Sequence, residues 1–252
     1  MKRILVTNDD GVFSEGIRLL AKELGNFAEV IVVAPDREQS ASGHSLTLHR
    51  PLRMLEIEDN VYSVDGTPTD CVNLGVLWLL EDNPPDLVVS GINFGFNLGD
   101  DVTYSGTVSA TFEGTLLGIP SVAFSQEVGE NFSFVAAARF AARLVELLCT
   151  RELPKDLLLN VNIPAGEVSG ISFTKLGHRV YKQSVVEKKD PRGQRYFWIA
   201  GIPEWQEDAG TDHQAVSTGR ISITPLHLDL TDYRGFDSYE WVIRELGDLN
   251  AE

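Results

Sequence analysis

A chain of 252 residues with 43% hydrophobic and 9% aromatic content can bury a core, which excludes a disordered class and fits one large α/β domain, with or without an elaborated second part. Its formal net charge of −16 excludes a general binder of nucleic-acid backbones, which would need a basic face. The two cysteines, Cys71 and Cys149, belong to no CxxC pair, so neither a disulfide framework nor a zinc site is supported.

The chain opens on "MKRILVTNDDG", whose apolar stretch is too short for a signal peptide. No later run reaches the roughly 18 apolar residues of a membrane span, so a soluble, cytoplasmic protein without a membrane partner is expected. Residues 3–7 read as a buried strand ending in Asn8-Asp9-Asp10-Gly11. A helix follows, with Ser14 at its N-cap, Ile17, Leu20, Ala21 and Leu24 at helical spacing, and Gly25 as its stop. Residues 29–35 form a second buried strand, followed by the polar loop "DREQSASGHS". "PLRMLEI" and "VYSVDG" read as short strands around a turn, and "TDCVNLGVLWLLED" as a helix begun by Thr67 or Thr69. Then come a strand at 86–93, a Gly/Asn-rich loop, the helix "TVSATFEGTLLG", the strand "PSVAFS", a long Ala-rich helix and a strand at 157–164. Strands alternating with helices of this length imply an α/β fold with a mostly parallel sheet covered on both faces, here over residues 1–165.

From 166 to 252 the pattern becomes β-rich. "ISFTKL" and "RISITPLHLDLT" read as strands, and residues 180–201 as a long hairpin turning at Asp190-Pro191-Arg192-Gly193. A protruding hairpin cannot bury Tyr196, Phe197 and Trp198 alone, so either a partner subunit or the hairpin's own domain must cover them. Residues 236–247 suggest a short amphipathic tail helix.

In parallel α/β sheets ligands collect beyond the carboxyl ends of the strands, near the point where strand order reverses. Three polar loops of this chain fall at such ends. An isolated Asp pair is more often a solvated turn, but Asp9 and Asp10 follow a buried strand, precede a Gly and have no basic neighbour in sequence. Adjacent carboxylates oppose each other's ionisation, and a cation would relieve that. An all-oxygen set suits Mg²⁺, Mn²⁺ or Ca²⁺ rather than zinc or copper. Ser40 could add a hydroxyl oxygen, and either Asn93 or Asn97 an amide oxygen. In "TYSGTVSA", Ser105, Gly106 and Thr107 sit where a helix begins, a natural phosphate cradle when it stands beside a metal. None of the five histidines lies at metal-ligand spacing from another, and His44 alone is close to these loops in sequence.

Together "ILVTNDDG", "VVAPDREQSASGHS", "GTPTDCV", "VVSGINFGFNLGDDVTYSGTVSA", "NVNIP" and "ISITPLHLDLT" resemble the stationary-phase survival family SurE, in order from residue 3 to about 231. The resemblance implies a metal-dependent phosphatase acting on nucleoside monophosphates, and leaves open whether 3′-nucleotides and short polyphosphate are also cleaved. It implies one divalent metal per subunit, Mg²⁺ or Mn²⁺, on Asp9, Asp10, Ser40 and Asn93, with Asn97, Ser105, Gly106 and Thr107 lining the phosphate pocket. It also implies a Rossmann-like N-terminal part and a smaller C-terminal part that builds homodimers or homotetramers by exchange of hairpins and tails. A water would attack phosphorus in line, its proton taken by Asp9 ahead of Asp10, or by no protein base at all. A signalling receiver domain, the first rival, needs a phospho-accepting Asp where this chain has Ser90-Gly91-Ile92-Asn93. A nucleotide-binding module without turnover is the second. The family's N-x-G-P-N loop is here Asn93-Phe94-Gly95-Phe96-Asn97, which makes Phe94 and Phe96 candidate base-stacking surfaces.

Overall fold

Ile4, Leu5 and Val6 are fully buried, and their burial on both sides makes the first strand the centre of the sheet. The computed structural model describes residues 1–129, 132–182, 185–199 and 202–247. The elements of the first part are β1 (Arg3–Thr7), α1 (Glu15–Leu24), β2 (Glu29–Pro35), β3 (Met54–Glu58), β4 (Val61–Val64), α2 (Pro68–Leu74), β5 (Leu87–Phe94), α3 (Gly106–Leu116), β6 (Ser121–Gln126), α4 (Val135–Cys149) and β7 (Leu158–Ile163). The remainder comprises β8 (Gly170–Phe173), β9 (Arg179–Lys182), β10 (Val185–Lys189), β11 (Arg195–Ile199), β12 (Ile202–Trp205), α5 (Asp212–Ser217), β13 (Arg220–Pro225) and α6 (Gly235–Leu246).

Nine strands form one sheet in the order β3-β4-β2-β1-β5-β6-β7-β13-β8. β1 pairs in parallel with both β2 and β5. The chain therefore builds outward on one side of β1 and then returns to the other, which makes the carboxyl end of β1 the switch point. β13 runs antiparallel to β7 and parallel to β8, so strands beyond residue 165 complete the same sheet.

Alternation along the strands divides the core. Ile4, Val6, Val32, Leu87 and Val89 face α1 and α4, whereas Leu5, Ile31, Val33 and Val88 face α2 and α3. α1 contributes Ile17, Leu20 and Leu24, each worth about 1.5–3 kcal/mol when fully buried. Its first turn lies so close to β5 that a Cβ on Gly16 would stand 2.3 Å from the Ile92 carbonyl oxygen. Backbone there cannot yield as a side-chain tip would. Gly16→Ala is expected to destabilise the protein by about 1–3 kcal/mol, lowering Tm by several degrees in a melting experiment; an unchanged Tm would show that α1 can retreat freely.

Local chemistry explains where the elements depart from expectation. Ser14 occupies the N-cap position of α1, but its hydroxyl caps no helix N–H and instead accepts from Asn8 Nδ2 at 2.8 Å. Thr67 caps α2 through the Asp70 N–H, and Asp70 returns the bond to the Thr67 N–H. That helix does not continue regularly to Asp82; a π-helical turn at Gly75–Leu79 follows it. α5 was not foreseen, although Thr211 accepts from Gln214 N as an ordinary N-cap. The expected hairpin forms: β10 pairs antiparallel with β11, and the turn closes with Gly193 N donating to Asp190 O at 2.9 Å. Residues 183–184 and 200–201 of that stretch lie outside the described residues. Tyr196, Phe197 and Trp198 are exposed, as are Phe236, Tyr239 and Trp241 on α6.

Candidate functional site

The turn after β1 is pinned by Asn8, whose Nδ2 donates to Gly11 O at 3.0 Å as well as to Ser14. This leaves Asp9 and Asp10 side by side at the switch point. Asp9 is only 5% exposed. Burial pushes its carboxyl above the ordinary range, and hydrogen bonds from Thr107 only partly oppose the shift. Burial and the charge of Asp9 push Asp10 up to about 6, against a backbone hydrogen bond from Phe94. Like-charge crowding and desolvation thus both act here.

The loop after β2 brings in a third acid. Gln39 N donates to Asp9 O at 2.7 Å, and the charge of Glu38 raises both aspartates further. Ser40 stands in this loop, but its hydroxyl donates to Glu38 Oε1 at 2.6 Å. The sequence reading missed Glu38; the signal was a third carboxylate two residues before a proposed ligand. The loop is then tied down. Gly43 N donates to Tyr104 O at 3.1 Å, and His44 Nε2 meets Glu113 Oε2 at 2.7 Å. Glu113 Oε1 accepts from Asn73 at 2.8 Å. His44 is therefore a loop anchor, with its ring on Glu113 of α3 rather than on Asp9 or Asp10.

The loop after β5 arrives from the other side. Phe94 N donates to Asp10 Oδ2 at 3.3 Å, and Asn93 Nδ2 donates to Gly95 O at 2.8 Å. Asn97 is held at every backbone atom that can bond. Its N–H donates to Asn162 Oδ1 at 2.8 Å, and its carbonyl accepts from Asn160 and Asn162 at 2.8 and 2.9 Å. Its side-chain Nδ2 donates to Ser125 Oγ at 2.8 Å. Asn160 and Asn162 sit two apart on one face of β7, which is what "NVNIP" encodes. The buried carboxylate of Asp212 extends the clamp by accepting from Gly99 N at 2.7 Å and Gly177 N at 2.9 Å.

α3 starts directly against Asp9. Thr107 Oγ1 donates to Asp9 Oδ1, and Ser105 Oγ accepts from Val108 N at 3.1 Å as the N-cap. Gly106 lies so near that a Cβ on it would be 2.8 Å from both Asp9 Cβ and Ser42 Oγ. Bonds thus join Asp9 to Thr107 and to the 39–40 loop, and Asp10 to the 93–94 strand end. Ser40 follows Gln39 in the loop bonded to Asp9, with its hydroxyl on Glu38, and Asn97 bonds to Ser125, Asn160 and Asn162 rather than to Asp9 or Asp10.

Among the described residues no three His, Cys, Asp or Glu side chains form a metal cluster. A cation here would take two carboxylates with amide and hydroxyl oxygens, the donor chemistry of Mg²⁺ or Mn²⁺. Among the described residues no cationic side chain is a cause of the shifts at Asp9 and Asp10. The residues fit such an ion.

A sequence profile described as Survival protein SurE matches residues 4–183. The chain is 53% identical over 250 residues to 5′-nucleotidase SurE of Geobacter metallireducens, covering 97% of this chain and 99% of that protein. It is 56% identical over 235 residues to the 5′-nucleotidase SurE of Geobacter sulfurreducens, covering 91% and 89%. The crystal structure of the SurE protein from Aquifex aeolicus superposes with a TM-score of 0.86 at 48% identity, covering 95% of this chain and 99% of that one.

Proposed function

The chain belongs to the SurE family, and on that premise we propose that it is a 5′-nucleotidase, hydrolysing nucleoside 5′-monophosphates to nucleoside and phosphate. The observation that carries this is the contact of buried Asp9, one of two adjacent carboxylates, with a helix start: Thr107 donates to Asp9, and Gly106 packs on it. The first-turn N–H groups of α3 and the helix dipole favour an anion at that point.

Each residue then has a task. Ser105 accepts from Val108 N, so its own proton is free to donate to a phosphate oxygen. The Thr107 hydroxyl is committed to Asp9 and orients that carboxylate beside the proposed phosphate pocket. Asn97, immobilised by Asn160, Asn162 and Ser125, keeps one amide N–H for a phosphate oxygen. Such preorganised donors stabilise developing charge without reorganising during reaction. Asp9 takes the proton of the attacking water, with Asp10 as its partner carboxylate. One Mg²⁺ or Mn²⁺ per subunit, held by Asp9, Asp10, Ser40 and Asn93, would supply charge neutralisation and a more acidic water. Ser40 donates to Glu38 and still has oxygen lone pairs to offer the cation. The exposed aromatics of β11 and α6 support a homodimer or homotetramer; sedimentation as a monomer would refute that. No helix among the described residues is long and apolar enough to cross a membrane, and a cytoplasmic location is part of the same proposal.

The test is phosphate release by chelator-stripped protein from 5′- and 3′-nucleoside monophosphates and short polyphosphate, with and without added Mg²⁺ or Mn²⁺. Release from 5′-nucleotides restored by metal is expected. No release with any metal would leave a nucleotide-binding module without turnover.

A further inference from the structure

A cavity of about 390 Å³ lies beside the phosphate loop, lined by Phe96, Glu127, Arg179, Trp205, His213 and Ser217 among others. We propose that it is the subsite for the nucleobase of the substrate, an inference that rests on the phosphatase reading of the adjoining site. Its volume is in the range of small-ligand pockets, about 300–1,000 Å³. Its position follows from the chain, since Phe96 forms a wall and the next residue, Asn97, is the clamped amide assigned to phosphate.

The walls determine what can enter. Trp205 stacks on His213 with centroids 4.3 Å apart and planes 11° apart. The Arg179 guanidinium lies 5.4 Å from the centre of the Trp205 ring. Trp205 thus already carries both His213 and Arg179, and it serves as a support. The rings left to a ligand are Phe96 and the far side of His213. Arg179 is also paired with Asp101, so with Glu127 the pocket has more acid than base and repels a second phosphate. Glu127 and Ser217 provide hydrogen-bonding partners for polar edges. A flat, uncharged heteroaromatic with donors and acceptors on its rim matches that lining. Phe94, the other candidate ring, is packed edge-on against Phe132 at 4.9 Å, and Phe132 in turn against Phe134 at 4.6 Å. It belongs to that ladder, and the base-stacking role goes to Phe96.

The experiment compares kcat/KM for adenosine 5′-monophosphate with that for ribose 5-phosphate, which carries no base. The proteins are wild type, Phe96→Ala, which removes the ring, and Ser217→Trp, which fills the cavity from its exposed rim. The ratio of the two constants is expected to fall about tenfold in both variants, the scale of one lost base–aromatic stack. An unchanged ratio would overturn the proposal, as would equal loss on both substrates, which marks loop positioning or folding instead. If wild type cleaves neither substrate, the phosphatase reading fails on its own. Adenosine binding then decides the pocket: loss in Ser217→Trp supports it, and equal binding overturns it.

Discussion

Replacing Asp9 with Asn is expected to lower metal-dependent phosphate release by about 10³-fold, with little change in Tm. Metal charge stabilisation is worth several kcal/mol, and about 1.4 kcal/mol corresponds to tenfold in rate. Asn is nearly isosteric and its Oδ1 still accepts the Thr107 hydroxyl, so the contact between β1 and α3 survives while the charge is lost. The folded protein carries Asp9 in a site that raises its pKa through burial, and its charge in turn raises that of Asp10. Removing it relieves repulsion, and stability is not expected to fall. Initial rates and a melting curve on the same preparation check both halves. Retention of more than about a tenth of the activity would mean that Asp10 and the amide oxygens suffice.

Gly106→Ala is expected to cost about 10²-fold in kcat/KM, a loss of the size that follows from a misplacement of about 1 Å. Ala is the better helix former, so propensity favours the variant by up to about 1 kcal/mol. Space decides otherwise. The new methyl would lie 2.8 Å from Asp9 Cβ, 2.8 Å from Ser42 Oγ and 2.9 Å from Asp9 Oδ2. Either α3 backs away from the carboxylates, or Asp9 turns and releases Thr107. Both outcomes open the gap between the phosphate donors and the proposed cation ligands, while the sheet core is untouched. Steady-state kinetics combined with a melting curve separates this from global unfolding, because overpacking here costs about 1–3 kcal/mol. Full activity in the variant would show that the approach of α3 to β1 is looser than it stands.

Much of the fold was legible because burial on both faces writes itself as unbroken apolar runs, as in β1, β2 and β5. The loops at the switch point were legible as polar clusters at strand ends, and the candidate residues lie in them or at the element ends that flank them. What the sequence could not convey was partnership across distance. Ser40 read as a ligand, yet its hydroxyl faces Glu38, two residues away. Thr107 read as a phosphate donor, yet its hydroxyl holds a carboxylate 98 residues away in the chain. Asn160 and Asn162 were visible only as part of a motif; their task, clamping the backbone of Asn97, requires β7 to be placed beside the loop. α5 was missed because six residues give too little periodicity to be seen. Likewise Asp212, which ties Gly99 to Gly177, gave no local signal at all.

The most direct test of the central claim, that Asp9 and Asp10 hold the cation on which hydrolysis depends, is a Mn²⁺ titration followed by electron paramagnetic resonance. It would be run on metal-free wild type and on Asp9→Asn/Asp10→Asn, with phosphate release read from the same samples. The expected result is one bound Mn²⁺ per wild-type subunit, activity that rises in step with occupancy, and neither binding nor turnover in the double variant. Equal Mn²⁺ binding by the two proteins, or wild-type activity that does not follow occupancy, would contradict it.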